Sequence, residues 1–170
     1  TPESYELYKI LRSMADGGAQ YVVMEVSSHA LDLQRVGGCE FEVAAFTNLT
    51  QDHLDFHGDM EHYFAAKKKL FSVCKNAVVN IDDAYGARLA QECGTNLLTY
   101  AADHAASLRA SNIEVTAKGV TYGVEYEGQM YSAGVGIPAK FSVYNSLAAL
   151  GCALSLGLDA EFCLEALGKA

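Results

Sequence analysis

Tyr21-Val22-Val23-Met24-Glu25-Val26 carries one charge in six residues, follows Asp16-Gly17-Gly18 and runs into Ser27-Ser28-His29. A short continuous apolar run behind a glycine turn predicts a strand buried on both faces of a parallel sheet, because a strand with one wet face would alternate. Upstream, Tyr5, Leu7, Tyr8, Ile10, Leu11 and Met14 recur mostly three or four residues apart, which predicts an amphipathic helix ended by the glycines. Helix, glycine turn and buried strand in succession are the grammar of an α/β fold.

Downstream the alternation continues. Val43-Ala44-Ala45-Phe46-Thr47-Asn48 is a second strand-like run; a polar segment and a helix over 60–73 follow, then a short strand at Val78-Val79-Asn80-Ile81. Asp82-Asp83 suits the N-cap of a helix over 84–92, and 96–100 reads as a fourth strand. From Ile113 the pattern changes to period two, through Val115, Val120, Tyr122, Val124 and Tyr126, with Glu127-Gly128 where a hairpin would turn. Residues 143–167 return to helical spacing, broken at Gly157. The predicted fold is α/β: one domain over 1–170, a mostly parallel sheet flanked by helices, with a small antiparallel β unit near residues 111–136.

The bulk composition narrows the function classes. Of 170 residues, half are apolar and the formal charge is −9, which opposes nonspecific encounter with nucleic acid or an anionic membrane surface. No stretch reaches the ~18 apolar residues of a membrane span, and the first residues lack the basic and apolar regions of a secretory signal. Five widely spaced cysteines without a Cys-x-x-Cys pair argue against a disulfide framework or a zinc site. A soluble, cytoplasmic protein is expected, binding neither nucleic acid nor the membrane interior.

Three places carry candidate chemistry. Glu25 falls at the carboxyl end of the first predicted strand, where ligands gather in open α/β sheets and where a Walker-B-type acid would hold Mg²⁺; the bland alternative is a structural ion pair. Thr47-Asn48-Leu49-Thr50-Gln51-Asp52-His53-Leu54-Asp55 packs hydroxyls, an amide, carboxylates and an imidazole behind the second strand, so His53 has neighbours able to orient it or share a cation. Of the run Lys67-Lys68-Lys69, helical phase sets Lys67 on a stripe with Tyr63, Ala66, Leu70 and Phe71, turned inward, while Lys68 should face water. Gly134-Val135-Gly136-Ile137-Pro138-Ala139-Lys140-Phe141 is a decoy, since Ala139 and Phe141 replace the Gly and Ser/Thr of a phosphate loop.

Met24-Glu25-Val26-Ser27-Ser28-His29-Ala30-Leu31, then 46–58 with its Thr47-Asn48-Leu49-Thr50-Gln51-Asp52-His53-Leu54-Asp55 core, then Met60 to Lys67, Val79-Asn80-Ile81-Asp82-Asp83 and Phe141 to Ala149, resemble in order and spacing the central domain of the Mur ligase family. The Glu25-to-Leu31 wording is similar to that of the family's third-residue ligases. The resemblance implies a P-loop-type central domain without its Walker A loop, and without the flanking N- and C-terminal domains. It implies ATP-dependent amide formation through an acyl phosphate, in peptidoglycan precursor synthesis, with ATP and Mg²⁺ as cofactors. The substrates implied are UDP-N-acetylmuramoyl-dipeptide and a diamino acid of unspecified identity.

By the same resemblance Glu25 binds the Mg²⁺ near the β- and γ-phosphates, His53 a second Mg²⁺ near the acyl phosphate, and Lys67 is the carbamylated lysine. Ser27 and Arg35 match substrate-binding positions, and Asn145 the asparagine near the adenine; Ser142 stands where the family has another asparagine. These 170 residues alone are expected not to ligate, for want of a triphosphate cradle. Two other readings stay open: a folylpolyglutamate synthase or another Mur ligase, sharing the acid, histidine and lysine, and a catalytically silent α/β binding module.

Overall fold

The computed structural model describes residues 1–52 and 54–169, which divide into two units: 1–40 with 51–52 and 54–73, and 41–50 with 74–169. In the first, α1 (Ser4–Asp16) follows the expected amphipathic spacing, yet among its residues only Leu7 is fully buried. Gly17 and Gly18 close it, with Gly18 at φ 84° and Ala19 N–H donating back to the Met14 carbonyl at 2.9 Å.

The run at 21–26 departs from expectation. It joins no ladder, and Tyr21 and Val23 are 70% and 97% exposed, so it is not a strand buried on both faces. An apolar run states a need for cover without naming the partner, and none of the six strands of the sheet pairs with it. After it come α2 (Ser28–Asp32), α3 (Leu54–His57) and α4 (Met60–Lys68). Ser27 Oγ accepts from Ala30 N–H to cap α2, and Asp59 accepts from His62 N–H to cap α4. The helix expected over 60–73 stops at Lys68 and tightens into a 3-10 turn, Lys69–Ser72, a common way to finish a helix. Ala30, Leu31, Val36, Tyr63, Phe64, Ala66 and Phe71 are buried in this unit.

The second unit is built on one six-stranded sheet: β1 (Phe41–Phe46), β2 (Cys74–Asn80), β3 (Asn96–Ala101), β4 (Leu108–Thr116), β5 (Gly119–Tyr126) and β6 (Gln129–Val135), side by side in sequence order. β1 to β4 run parallel; β4, β5 and β6 are antiparallel. The antiparallel unit is therefore a continuation of the parallel sheet, joined where Tyr100 and Ala101 meet Leu108 and Arg109. Ala77, Val78 and Val79 are all fully buried, which for consecutive strand residues means that both faces of β2 are covered.

The covering helices are α5 (Ala84–Glu92), α6 (Lys140–Ser155) and α7 (Ala160–Leu167), with the expected break at Gly157. Two glycines set how near helix and sheet lie. A Cβ on Gly86 of α5 would sit 1.9 Å from the Asn80 carbonyl oxygen, and one on Gly151 of α6 would sit 2.7 Å from Val78 Cγ1. Asp83 is the α5 N-cap, accepting from Tyr85 and Gly86 N–H at 3.0 Å each, and its second oxygen takes Leu49 N–H at 3.1 Å. The hairpin turns at Glu127-Gly128, both at positive φ (49° and 76°), the left-handed pair a tight type I′ turn requires. Among the described residues no helix is long and apolar enough to cross a membrane.

Candidate functional site

In the first unit three of the expected residues converge on Thr1. The Thr1 hydroxyl donates to the Glu25 carbonyl at 2.9 Å and accepts from Ser27 N–H at 3.0 Å, while Arg35 Nη1 donates to the Thr1 carbonyl at 3.3 Å. Glu25 is exposed, and Ser27 is half-buried with its hydroxyl engaged as a helix cap. Arg35 also pairs with Glu3 at 2.6 Å, and its Nε is buried without a hydrogen-bond partner, so the guanidinium keeps unspent donor capacity.

Lys67 is half-buried, with Nζ 5.5 Å from the centre of the Tyr63 ring. Burial pushes its ammonium below the usual lysine range, and the nearby Glu25 carboxylate only partly restores it. That opposition shows Glu25 and Lys67 within electrostatic reach of each other. Lys68, expected in water, is half-buried too, whereas Lys69 is the exposed member of the run and pairs with Asp32 at 2.5 Å. His53 lies outside the described residues. Among the described residues no three His, Cys, Asp or Glu side chains gather as a metal-binding group.

Asn145 belongs to the second unit, exposed in the early turns of α6. Its neighbour Tyr144 donates to Asp82 at 2.9 Å. Asp82 is a junction that sequence reading took only as part of a helix cap: its Oδ2 also accepts from Ala102 and Asp103 N–H at 2.6 and 2.9 Å, and its Oδ1 meets His104 Nδ1 at 2.6 Å. Burial works against the charge on Asp82, but the amides of Asp103 and Ala102, then His104 and Tyr144, outweigh it and hold the carboxyl below its usual range. Ser142, in the place of the family's asparagine, is buried with a hydroxyl that has no partner. The local signal for Asp82 was its position just past a buried strand; its partners lie 20 to 62 residues away and left none.

The chain belongs to the Mur ligase family: the sequence profile of the Mur ligase middle domain matches residues 1–153. Relatives agree along nearly the whole chain. The chain is 42% identical over 167 residues to the UDP-N-acetylmuramoyl-L-alanyl-D-glutamate--2,6-diaminopimelate ligase of Clostridium botulinum, covering 98% of this chain and 35% of that protein. It is 44% identical over 168 residues to the ligase of the same name from Caldanaerobacter subterraneus, again 98% and 35%. A solved structure bearing that ligase name superposes with TM-score 0.92 at 30% identity, over all of this chain and 36% of the other. A MurF structure from Acinetobacter baumannii, at TM-score 0.69 and 20% identity over 76% of this chain and 29% of its own, shares the fold. The chain thus spans about a third of the length of the curated relatives it matches.

Proposed function

We propose that this chain is part of the central, ATP-handling domain of a ligase that joins 2,6-diaminopimelate to UDP-N-acetylmuramoyl-L-alanyl-D-glutamate, and that the rest of the same polypeptide supplies the phosphate loop and the selection of the incoming amine. The diamino acid follows the names its relatives carry. The observation that carries the reading is Lys67: a half-buried amine that burial makes easier to deprotonate, within electrostatic reach of the acidic Glu25.

A neutral Lys67 Nζ can attack the carbon of CO₂, forming an N–C bond and releasing one proton to solvent, which turns a cation into an anionic oxygen donor. Glu25 and Lys67 as its carbamate would offer the oxygens that suit Mg²⁺, a hard ion that takes one or two protein oxygens and keeps much of its water, and His53 would add an imidazole nitrogen by family resemblance. When bound, Mg²⁺ offsets charge on the transferring phosphoryl group and the attacking carboxylate.

The protein's share of the reaction is positioning. Ser27 and Arg35 hold the UDP-linked dipeptide so that its carboxylate faces the γ-phosphate, and Asn145 meets the adenine. Phosphoryl transfer gives an acyl phosphate and ADP; the incoming amine attacks the acyl carbon, and phosphate leaves as the amide forms. The test is Lys67→Ala in the full-length enzyme, which should lose ligation. Unchanged turnover in that variant would remove Lys67 from the reaction.

A further inference from the structure

A buried histidine outside the residues assigned above joins α3 to α2, the helix that follows Glu25. His57, at the end of α3, has a side chain 1% exposed, with Nε2 2.8 Å from Ser28 Oγ and Nδ1 3.3 Å from Asp32 Oδ2. Asp32 continues the chain to Lys69. The ring is stacked on Tyr63 at 5.0 Å and 13° and meets Phe56 edge-on at 4.8 Å, so packing as well as polar contact fixes its orientation.

The chemistry gives each nitrogen a role. An ionised Asp32 can only accept, so Nδ1 carries a hydrogen toward it, and Nε2 is left to share a hydrogen bond with the Ser28 hydroxyl, which can donate or accept. Serine, histidine and aspartate so linked have the outline of a hydrolytic triad, but Ser28 is 2% exposed in the first turn of α2 and cannot meet a substrate carbonyl. What the linkage does reach is the turn itself: Ser28 follows the α2 cap Ser27, and Ser27 is tied through Thr1 to Glu25.

We propose that His57 is a positioning residue for the Glu25–Ser27 turn, holding Ser28 on one side and Asp32 on the other so that α2 begins at a fixed place and angle. This rests on the roles given above to Glu25 and Ser27. Without the bridge, α2 keeps its cap but not its lateral anchor, and the acid and hydroxyl ahead of it lose their preset geometry.

In the full-length ligase, His57→Phe retains the ring stacking and removes both polar contacts, and Ser28→Ala removes only one. Ser28→Ala should raise the KM for the UDP-linked dipeptide and the Mg²⁺ concentration at half-maximal rate by about tenfold, the factor set by one hydrogen bond's net worth, and His57→Phe by more than that. The KM for ATP should stay near the parent's. His57→Gln, whose amide can reach Ser28 without bridging to Asp32, should recover part of the loss, which a purely packing role would not allow. Parent-like constants in a folded Ser28→Ala enzyme overturn the proposal, even if His57→Phe fails to fold. Parent-like Mg²⁺ dependence in Glu25→Gln is a different result, overturning the assignment of Glu25 and the proposal with it.

Discussion

The Tyr144 hydroxyl donates to Asp82 Oδ2 at 2.9 Å, tying the helix that carries Asn145 to the loop behind β2. Two backbone amides and His104 share the same carboxylate, so the contact fixes three segments at once. Tyr144→Phe deletes one donor and leaves the others, and should lower stability by about 1 kcal/mol. Asp82→Ala strands the two amides and should cost about 2–4 kcal/mol, measured by urea unfolding of this chain.

Asp82 also predicts a pH response. Its folded carboxyl is held below its unfolded value, so its contribution is complete above about pH 4, the ordinary aspartate range, and is lost as pH falls through the folded value. Stability should therefore decline on acidification below about pH 4, and Asp82→Asn should flatten that decline. A thermal melting series across this window, parent against variant, checks it; parallel curves would assign the acid sensitivity elsewhere.

Helix-sheet spacing predicts unequal costs for two glycines. Alanine in a helix gains about 1 kcal/mol over glycine, which sets the scale for both. At Gly151 the clash is with Val78 Cγ1, a side chain that can shift, so Gly151→Ala should destabilise by about 1–2 kcal/mol at most. At Gly86 it is with the Asn80 backbone carbonyl at 1.9 Å, and Gly86→Ala should cost about 3 kcal/mol or more. Denaturation midpoints in the reverse order would sink this account.

Much of the sheet could be read in advance because its signals are local. Val78-Val79 announced a strand, and Glu127-Gly128 named its own turn. The run at 21–26 was misread because apolar character does not encode which edge, if any, a strand joins. Glu25 and Lys67 stood out as candidates from their own neighbourhoods, since a charge in an apolar run and a lysine on an apolar stripe are anomalies, whereas Ser27 was singled out only by the family resemblance. Thr1, Asp82 and the Asp32–His57 pair did not stand out, because each acts through partners distant in sequence and none breaks a local pattern.

Lys67 predicts a dependence on dissolved CO₂. In the full-length ligase, dialysis against CO₂-free buffer should reduce turnover, and bicarbonate should restore it. Intact-protein mass should show one CO₂ adduct in the active sample and none in Lys67→Arg. Activity indifferent to bicarbonate, with no adduct, would leave Lys67 as an ordinary inward cation.

Asp83 predicts a link between helix capping and the candidate segment 47–55. Asp83→Ala removes the α5 cap and frees Leu49 N–H, for a loss of about 1–2 kcal/mol. Asp83→Asn retains one acceptor oxygen and should recover the cap in part. Amide exchange should quicken at Leu49 in both variants, and an unaltered Leu49 would show that its loop is held by other means.

Every strand of the sheet lies beside its predecessor in the chain. Each addition from β3 to β6 therefore joins the strand made just before it, and none has to slot between strands already joined. A polypeptide emerging from the ribosome can lay this layer down in the order it is made, with the insertion of residues 51–73 between β1 and β2 as the one long excursion to accommodate.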